Sequence, residues 1–164
     1  MVSVNKGKSF EHKIEASNLS YVNRGLALIQ RITDPVSITG GGKIIRAKST
    51  IDFLGVINGR SIAIEAKQYS SANLTFPLSN ISDHQLEYLK MHSKCGGISI
   101  VAIHHISSDI VYLIPYKTLE PYLTTVKSLK KELLEEISIL SNIEDYLGLN
   151  SKEDNEKIIK RITV

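Results

Sequence analysis

The sequence contains very little cysteine. Cys95 is the one cysteine among 164 residues, so the chain can form no internal disulfide and no metal site of the CxxC type. Such sparse use is typical of a reducing compartment, and we expect a cytoplasmic protein. Cys95 itself is interpreted as a small apolar residue of the core.

Long apolar segments are also missing. The best apolar run, Ile98 to Ile103, is far too short to span a bilayer, and the first ten residues lack the apolar centre of a secretory signal. No repeat, low-complexity tract or linker divides the chain. With 42% hydrophobic and 23% charged residues, we expect a soluble globular protein without a membrane partner, in which residues 1–164 form a single domain.

The net charge is small, at +3, but it is unevenly distributed. Residues 1–50 contain eight Lys and Arg against three Asp and Glu, an excess of +5, so residues 51–164 sum to −2. A basic first third favours a surface that faces phosphates. A solvated basic face without a partner is the alternative that charge alone leaves open.

Apolar spacing and turn residues predict a mixed α/β protein. An amphipathic helix, or two joined helices, is expected over roughly 8–30, and Asp34-Pro35 should end it. The C-terminal segment is expected to be helical from about 118. The other predicted elements are a basic hairpin over about 36–48, strands over 50–56, 61–67, 98–104 and 109–114, and helices over 83–94, 127–140 and near 153–161.

The hairpin over about 36–48 has three glycines, Gly40 to Gly42, at its tip. It is not a phosphate-binding P-loop, because Lys43 is followed by neither Ser nor Thr and no helix signal comes next. Arg46 and Lys48 are two residues apart, so in a continuous strand they share a face with Asp52. We therefore predict that this strand contacts phosphates.

The strongest local signal is Asn58-Gly59 between two alternating strands, which is typical of a two-residue hairpin turn. Residues opposite each other then have numbers that sum to 117, so Asp52 faces Glu65 and Thr50 faces Lys67. One face of the hairpin is apolar and is assigned to the core. The four polar residues collect on the other face, at the end away from the turn.

Two carboxylates placed opposite each other on a sheet repel and destabilise the strand pair. A divalent cation would reverse that effect, and oxygen ligands at this spacing suit Mg²⁺ or Mn²⁺. Lys67 lies two residues after Glu65 on the same face, where it would hold an attacking water or stabilise charge on a phosphate. The alternative is an exposed Glu65–Lys67 ion pair without a catalytic role.

Through Asp52, the Glu65-Ala66-Lys67 triplet and an acid on the preceding helix, the chain resembles the PD-(D/E)xK nuclease superfamily. More narrowly, it resembles the RecU-type Holliday junction resolvases of Gram-positive bacteria and their phages. The resemblance covers roughly residues 5–115, in the family order. The matching stretches are GKSFEHKIEASN (7–18), ALIQRITDP (27–35), KSTIDFLGVING (48–59), IEAK (64–67), FPLSNISDHQLEYL (76–89) and GGISIVAI (96–103).

The resemblance implies a restriction-endonuclease-like fold, in which helices flank a central mixed sheet. It implies a Mg²⁺-dependent endonuclease, with Mn²⁺ as a substitute, that acts as a homodimer and resolves four-way DNA junctions in recombination and repair. The segment between Pro35 and Ser49 is shorter than the projecting stalk of bacterial members, which a short phage or prophage member would explain. The alternatives are a branched-DNA-binding recombination partner without catalysis and a restriction-like duplex nuclease.

The family roles can be carried over to individual residues. The resemblance implies that Asp52, Glu65 and Glu11 bind the metal and that Lys67 is the catalytic lysine. Thr50 and Gln85 match polar positions close to the catalytic site. Together with the basic first third, the residues expected to bind DNA are Lys6, Lys8, Lys43, Arg46 and Lys48.

Overall fold

The protein is built on a central β-sheet. The computed structural model describes residues 6–34, 36–42, 44–46, 50–150 and 155–163. Its strands are β1 (Ala27–Arg31), β2 (Val36–Ile38), β3 (Ile44–Arg46), β4 (Phe53–Ile57), β5 (Arg60–Tyr69), β6 (Phe76–Pro77), β7 (Ile98–His105), β8 (Ile110–Pro115), β9 (Ser128–Leu129) and β10 (Ile139–Asn142). Its helices are α1 (Lys6–Asn23), α2 (Asp83–Lys94), α3 (Tyr116–Leu119), α4 (Lys131–Ile137) and α5 (Asn155–Ile162).

The main sheet has six strands in the order β1-β4-β5-β7-β8-β10. The β5–β7 pair is parallel, and the other neighbouring pairs are antiparallel. β2 and β3 form a separate two-stranded sheet, and so do β6 and β9. The architecture agrees with the predicted mixed α/β class, and it places β5 inside the sheet with a strand on each side.

The hairpin of β4 and β5 has the predicted register. Phe53 lies opposite Ile64, and every pair down to the turn has numbers that sum to 117. Asn58 and Gly59 make the turn with φ angles of 47° and 73°. Both angles lie in the left-handed region that a two-residue turn of this type requires.

Both faces of β5 are buried. Ile62 and Ile64 lie in an apolar cluster with residues of α1 and α5. Ala63 points the other way and lies in a second cluster with residues of α2, α3 and α4. The sequence assigned only one face of this hairpin to the core, whereas a strand with a parallel neighbour is commonly covered on both faces.

The helix predicted over roughly 8–30 is wrong after residue 23. α1 ends at Asn23, and Gly25 adopts a φ of +67°, which is the usual way for a chain to leave a helix. The chain then forms β1, which pairs with β4 from Ala27 opposite Ile57 onward. Apolar residues at helical spacing continue into this strand, so periodicity alone did not separate the two elements.

The helix predicted over 127–140 is also wrong in its extent. α4 covers only Lys131–Ile137, β9 precedes it, and β10 follows it and pairs with β8. The segment from about 118 is therefore not wholly helical, because the free edge of β8 offers backbone partners to Ile139–Asn142. The helix predicted near 153–161 corresponds to α5.

Residues 143–150 are fastened to α1 by buried polar contacts. The Tyr21 hydroxyl donates to Asp145 Oδ1 at 2.7 Å and accepts from the Leu147 backbone N–H at 3.1 Å. The Tyr146 hydroxyl donates to Asn18 Oδ1 at 2.7 Å. These bonds tie the N-terminal helix to a segment near the other end of the chain.

Cys95 does not lie in the core. It is exposed at the C-cap of α2, so its interpretation as a buried apolar residue is wrong. The chain turns there through Gly96, whose φ is +88°, and the cap position faces solvent. None of the helices in the described parts of the chain is long and apolar enough to cross a membrane.

Candidate active site

Asp52 lies at the junction of three strands. Its backbone carbonyl accepts a hydrogen bond from the N–H of Ile32, just after β1, at 2.8 Å. Its Oδ2 accepts a second from the backbone N–H of Ala66 on β5, also at 2.8 Å. Since Asp52 itself directly precedes β4, these bonds hold its carboxylate next to Glu65, the neighbour of Ala66.

Glu65 is a charged residue in the interior of the sheet. It is only 1% exposed, and it lies opposite Val101 of β7. Its Oε1 accepts from Lys67 Nζ at 2.7 Å and from the side-chain amide of Gln85. Its Oε2 is buried and has no hydrogen-bond partner among the described residues, which is costly unless another group binds it.

Lys67 and Gln85 complete a polar group around Glu65. The Lys67 side chain, 19% exposed, follows Glu65 on the same face of β5. Its Nζ donates to Gln85 Oε1 at 3.1 Å. Gln85 lies in the first turn of α2, so the N-terminal end of this helix contacts Lys67 and Glu65 on β5. The structure thus brings together Asp52, Glu65, Lys67 and Gln85.

Glu11 approaches from α1 but is paired with a basic residue. Arg31, the last residue of β1, donates from Nη2 to Glu11 Oε2, and its Nη1 lies 3.7 Å from Glu15 Oε2. The start of α1 is held near β5, because the Phe10 backbone N–H donates to Gln68 Oε1 at 3.2 Å. Sequence periodicity could not separate Glu11 from Glu15, and in the structure both face Arg31.

Two carboxyl groups of the site have raised pKa values. The pKa of Glu65 is raised from 4.5 to about 8, mainly by burial and next by the charge of Asp52, while Lys67 opposes the rise. Burial also raises the pKa of Glu11, with Arg31 acting against the rise and Asp52 adding to it. The negative charge of Asp52 therefore contributes to the raised pKa of both Glu11 and Glu65.

These carboxylates fit a divalent cation. A cation beside Asp52 and Glu65 would remove their repulsion and would satisfy the buried Oε2 of Glu65. Within the described part of the chain, no three or more His, Cys, Asp and Glu side chains are grouped so as to hold a metal ion. The three-carboxylate ligand set expected from the sequence is thus not assembled here, since Glu11 is bound to Arg31.

The position of Thr50 differs from the prediction. Thr50 is exposed and precedes the first pair of the ladder, so β4 does not place it opposite Lys67. Of the residues expected to bind DNA, Lys6 and Lys8 lie in the first turn of α1, Arg46 lies on β3, and Lys43 and Lys48 lie outside the described residues.

Sequence reasoning missed Arg31 and Ser82. Ser82 is the N-cap of α2 and forms a capping box with Gln85. The spacing Ser-x-x-Gln is the signature of such a box, so this contact could have been found in the sequence. The Arg31–Glu11 pair has no such signature, because it depends on how β1 lies against α1.

A comparison with known protein families shows which family this chain belongs to. The family model described as RecU, Recombination protein U, matches residues 5–150. The chain belongs to the RecU family. This match extends past the stretch of roughly 5–115 on which the sequence resemblance rested, and it includes β10 and the segment that is fastened to α1.

Two RecU relatives show how much of the chain is shared. A protein of Staphylococcus epidermidis described as Holliday junction resolvase RecU is 35% identical over 145 residues, which cover 80% of this chain and 69% of that protein. A protein of Mycoplasmopsis pulmonis with the same description is 33% identical over 150 residues, covering 90% and 94%. The second relative is covered almost completely by the match, so its length is close to that of this chain.

A solved structure supports the fold class of this RecU chain. The structure of Archaeoglobus fulgidus Hjc, described as a Holliday junction resolvase from an archaeal hyperthermophile, matches with a TM-score of 0.53 at 17% identity. The match covers 85% of this chain and 98% of that one. At this identity the similarity concerns the fold, and it confirms the restriction-endonuclease-like class, a central mixed sheet flanked by helices.

Proposed function

We propose that this RecU chain is a structure-specific DNA endonuclease that resolves four-way junctions by phosphodiester hydrolysis during recombination and repair. The observation that carries the proposal is the buried Glu65 with Asp52 and Lys67 beside it. Its relatives are described as Holliday junction resolvases. A protein that only bound DNA would gain nothing from a buried carboxylate with an unpartnered oxygen.

The proposed cofactor is Mg²⁺, with Mn²⁺ as a substitute, since both prefer carboxylate oxygens. Asp52 and Glu65 would hold the ion, because their carboxylates lie side by side and Oε2 of Glu65 is buried without a hydrogen-bond partner among the described residues. Glu11 would join them when its side chain leaves Arg31. When bound, the cation supplies Lewis-acid polarisation of the scissile phosphate.

Lys67 is the proposed catalytic lysine. Its ammonium group has three N–H donors, and two of them point to Glu65 and Gln85. The third is left to hold an attacking water or to stabilise charge on the phosphate. The side chain is partly exposed, so DNA that lies over the site can reach it.

The proposed DNA-binding surface lies in the basic first third of the chain. Lys8 precedes Glu11 by one helical turn, and Arg46 lies on the second strand of the short β2–β3 hairpin. Contacts from such residues go mainly to phosphates, so they would not depend on the base sequence.

We also propose a cytoplasmic location, which is inferred from the low cysteine content.

The proposed enzyme is a symmetric homodimer, because two paired nicks need two sites related by a two-fold axis. Four exposed apolar residues at the β1 side of the sheet support a contact with a second copy. Leu28 and Val56 pair across β1 and β4 and are 54% and 48% exposed. Leu19 and Val22 of α1, at 63% and 43% exposure, complete this set, which we call the apolar edge.

One assay separates this function from its two alternatives. A labelled four-way junction and a linear duplex are incubated with the protein, with and without Mg²⁺. Cutting that needs Mg²⁺ and is confined to the junction supports a resolvase. Equal cutting of the duplex would indicate a restriction-like nuclease, and junction binding without any cutting would indicate a recombination partner that lacks catalysis.

A further inference from the structure

The part of the chain between Lys67 and Gln85 starts and ends at the candidate active site, because these two side chains are hydrogen-bonded at 3.1 Å. After Lys67, β5 continues for two residues to Tyr69, and β6 begins at Phe76. Residues 70–75, which we call the β5–β6 loop, therefore lie beyond the end of β5 and next to the site. A strand advances about 3.3 Å per residue, so the loop begins about 10 Å from Lys67.

The β5–β6 loop is held at its base. The Tyr69 ring packs edge-on against Phe76, with 5.4 Å between ring centroids, so the two ends of the loop are in contact. His105, at the end of the neighbouring strand β7, has its Nε2 at 3.0 Å from the Ser71 carbonyl oxygen. A carbonyl oxygen only accepts, so this ring nitrogen carries the proton, and Nδ1 is left to accept from the Ser108 backbone N–H. The first half of the loop is thus fastened to the sheet.

The tip of the loop is a tight turn. The Leu74 backbone N–H donates to the Ser71 carbonyl oxygen at 3.2 Å, and the two residues between them, Ala72 and Asn73, are exposed. The φ angle of Leu74 is 47°. Leucine rarely adopts this region, and such backbone strain is found most often at sites that bind a ligand.

The side chain of Asn73 is free to bind another molecule. The backbone carbonyl of Asn73 accepts from the Thr75 hydroxyl at 3.2 Å. Its side-chain amide makes no hydrogen bond within the part of the chain that the structure describes. A fastened turn therefore presents one exposed amide group, with a donor and an acceptor, beside the candidate active site.

The composition of the loop indicates what this amide would bind. The stretch 68–82 contains no Asp, Glu, Lys, Arg or His, although 23% of the whole chain is charged. Affinity for phosphates comes chiefly from Lys and Arg, and none lies here. Base edges are recognised by side chains that donate and accept together, and an Asn amide matches N6 and N7 of adenine. The loop thus suits bases better than phosphates.

We propose that Asn73 is a specificity-determining residue of the cleavage reaction: its amide hydrogen-bonds to the edge of an adenine within about three base pairs of the cut. The limit follows from the reach of the loop, which begins about 10 Å from Lys67, whereas successive bases of a strand are about 3.4 Å apart. The inference rests on the proposed function, since it concerns where on a junction the enzyme cuts.

Three variants test the role of the amide. Asn73→Ala removes it. Asn73→Asp keeps the size of the side chain but can only accept, so it should favour cytosine, whose N4 group donates. Asn23→Ala is the matched control, because Asn23 is also exposed but lies at the end of α1. The strand that follows it starts with Ala27 opposite Ile57, beside the turn of the β4–β5 hairpin and away from the site.

The first measurement is single-turnover cleavage of a pool of four-way junctions with randomised base pairs around the exchange point, followed by sequencing of the cut ends. We expect the wild type and Asn23→Ala to enrich adenine about 5- to 150-fold at one position within about three base pairs of the cut. Asn73→Ala should lose this enrichment at that position alone, and Asn73→Asp should enrich cytosine there. Unchanged enrichment in Asn73→Ala, or an equal loss at every position, would overturn the proposal.

The second measurement is the base composition of the junctions that the protein binds from the same pool in EDTA, and it decides the outcome if the wild type cuts no junction. An adenine enrichment in the wild-type pool that disappears with Asn73→Ala would then uphold the role of Asn73, and only the proposed function would fail. Identical compositions for these two proteins would overturn both.

Discussion

The side chain of Asp52 is bonded to the backbone of Ala66, with 2.8 Å between Asp52 Oδ2 and the amide nitrogen. Asp52 precedes the paired part of β4, so the hydrogen bonds between β4 and β5 alone would not fix its position. The bond ties its carboxylate to β5 beside Glu65. One proposed metal ligand is thus held by the backbone of the strand that carries the other.

Replacing either of these carboxylates by its amide should abolish cleavage and preserve junction binding. In Asp52→Asn the side-chain oxygen can still accept from Ala66, so the local structure is kept while the charge that would bind a cation is lost. Junction affinity should stay equal or become tighter, since phosphates are repelled less. Gel assays of cutting and of binding test this, with Glu132→Gln on α4 as an exposed control. Wild-type cutting by Asp52→Asn or Glu65→Gln would refute the site.

Lys67→Ala should lose about 100-fold or more in cleavage rate, because the group proposed to act on the water or the phosphate is removed. Metal binding should be largely intact. It is best compared well above pH 8, because Lys67 lowers the pKa of Glu65 and its removal would otherwise leave that side chain protonated. Titration calorimetry with Mn²⁺ measures the affinity, and the exposed Lys117→Ala is the control. Loss of Mn²⁺ binding in Lys67→Ala would show a structural lysine instead.

The raised pKa of Glu65 predicts how stability depends on pH without a metal. In the folded chain Glu65 keeps its proton up to about pH 8, whereas the unfolded chain loses it near 4.5. The folded state therefore binds more protons within this window, and the free energy of unfolding should fall as the pH rises through it. Urea titrations in EDTA between about pH 5 and 8.5 test this. Glu65→Gln should reduce the fall, and an equally steep fall in that variant would assign it to other groups.

The parts of the structure that were predictable from the sequence rest on local signals. The Asn58-Gly59 turn sets the register of β4 and β5 independently of the rest of the fold, so the sequence alone could place Asp52 beside Glu65. β1 and β10 were missed because each becomes a strand by pairing with a distant neighbour, β4 and β8 respectively. The Arg31–Glu11 pair was missed for the same reason, since it requires knowing how α1 lies on the sheet.

The DNA-binding role of the hairpin strand is still a prediction from the sequence. Replacing both Arg46 and Lys48 with Ala should weaken junction binding and flatten its dependence on salt, because each neutralised phosphate contributes about −0.9 to the log–log slope. We expect the slope to change by about one to two units. Affinity measured against KCl tests this, with the exposed pair Lys130→Ala and Lys131→Ala, at the N-cap and first position of α4, as a control of equal charge. Unchanged slopes would remove the strand from the interface.

The apolar edge should hold two copies together. Leu28→Ser would place a hydroxyl on the sheet surface that faces the proposed partner, and it should shift the protein toward the monomer because less apolar surface is buried on association. Leu140→Ser on β10 is the matched control, since Leu140 is 52% exposed at the opposite edge of the sheet. Light scattering gives the mass of each variant. A monomeric wild type that still made paired cuts would contradict the dimer.

The bond between Tyr21 and Asp145 joins positions 124 residues apart. Closing a loop of that length costs entropy that is recovered only when both ends pack, so such contacts form late in folding. The β4–β5 hairpin, by contrast, needs only its own turn. We therefore expect a nascent chain to carry Asp52 and Glu65 in a formed hairpin well before α1 is seated. The helix that holds Glu11 would take its final place only after residue 150 has left the ribosome, which would delay the assembly of the site until that point.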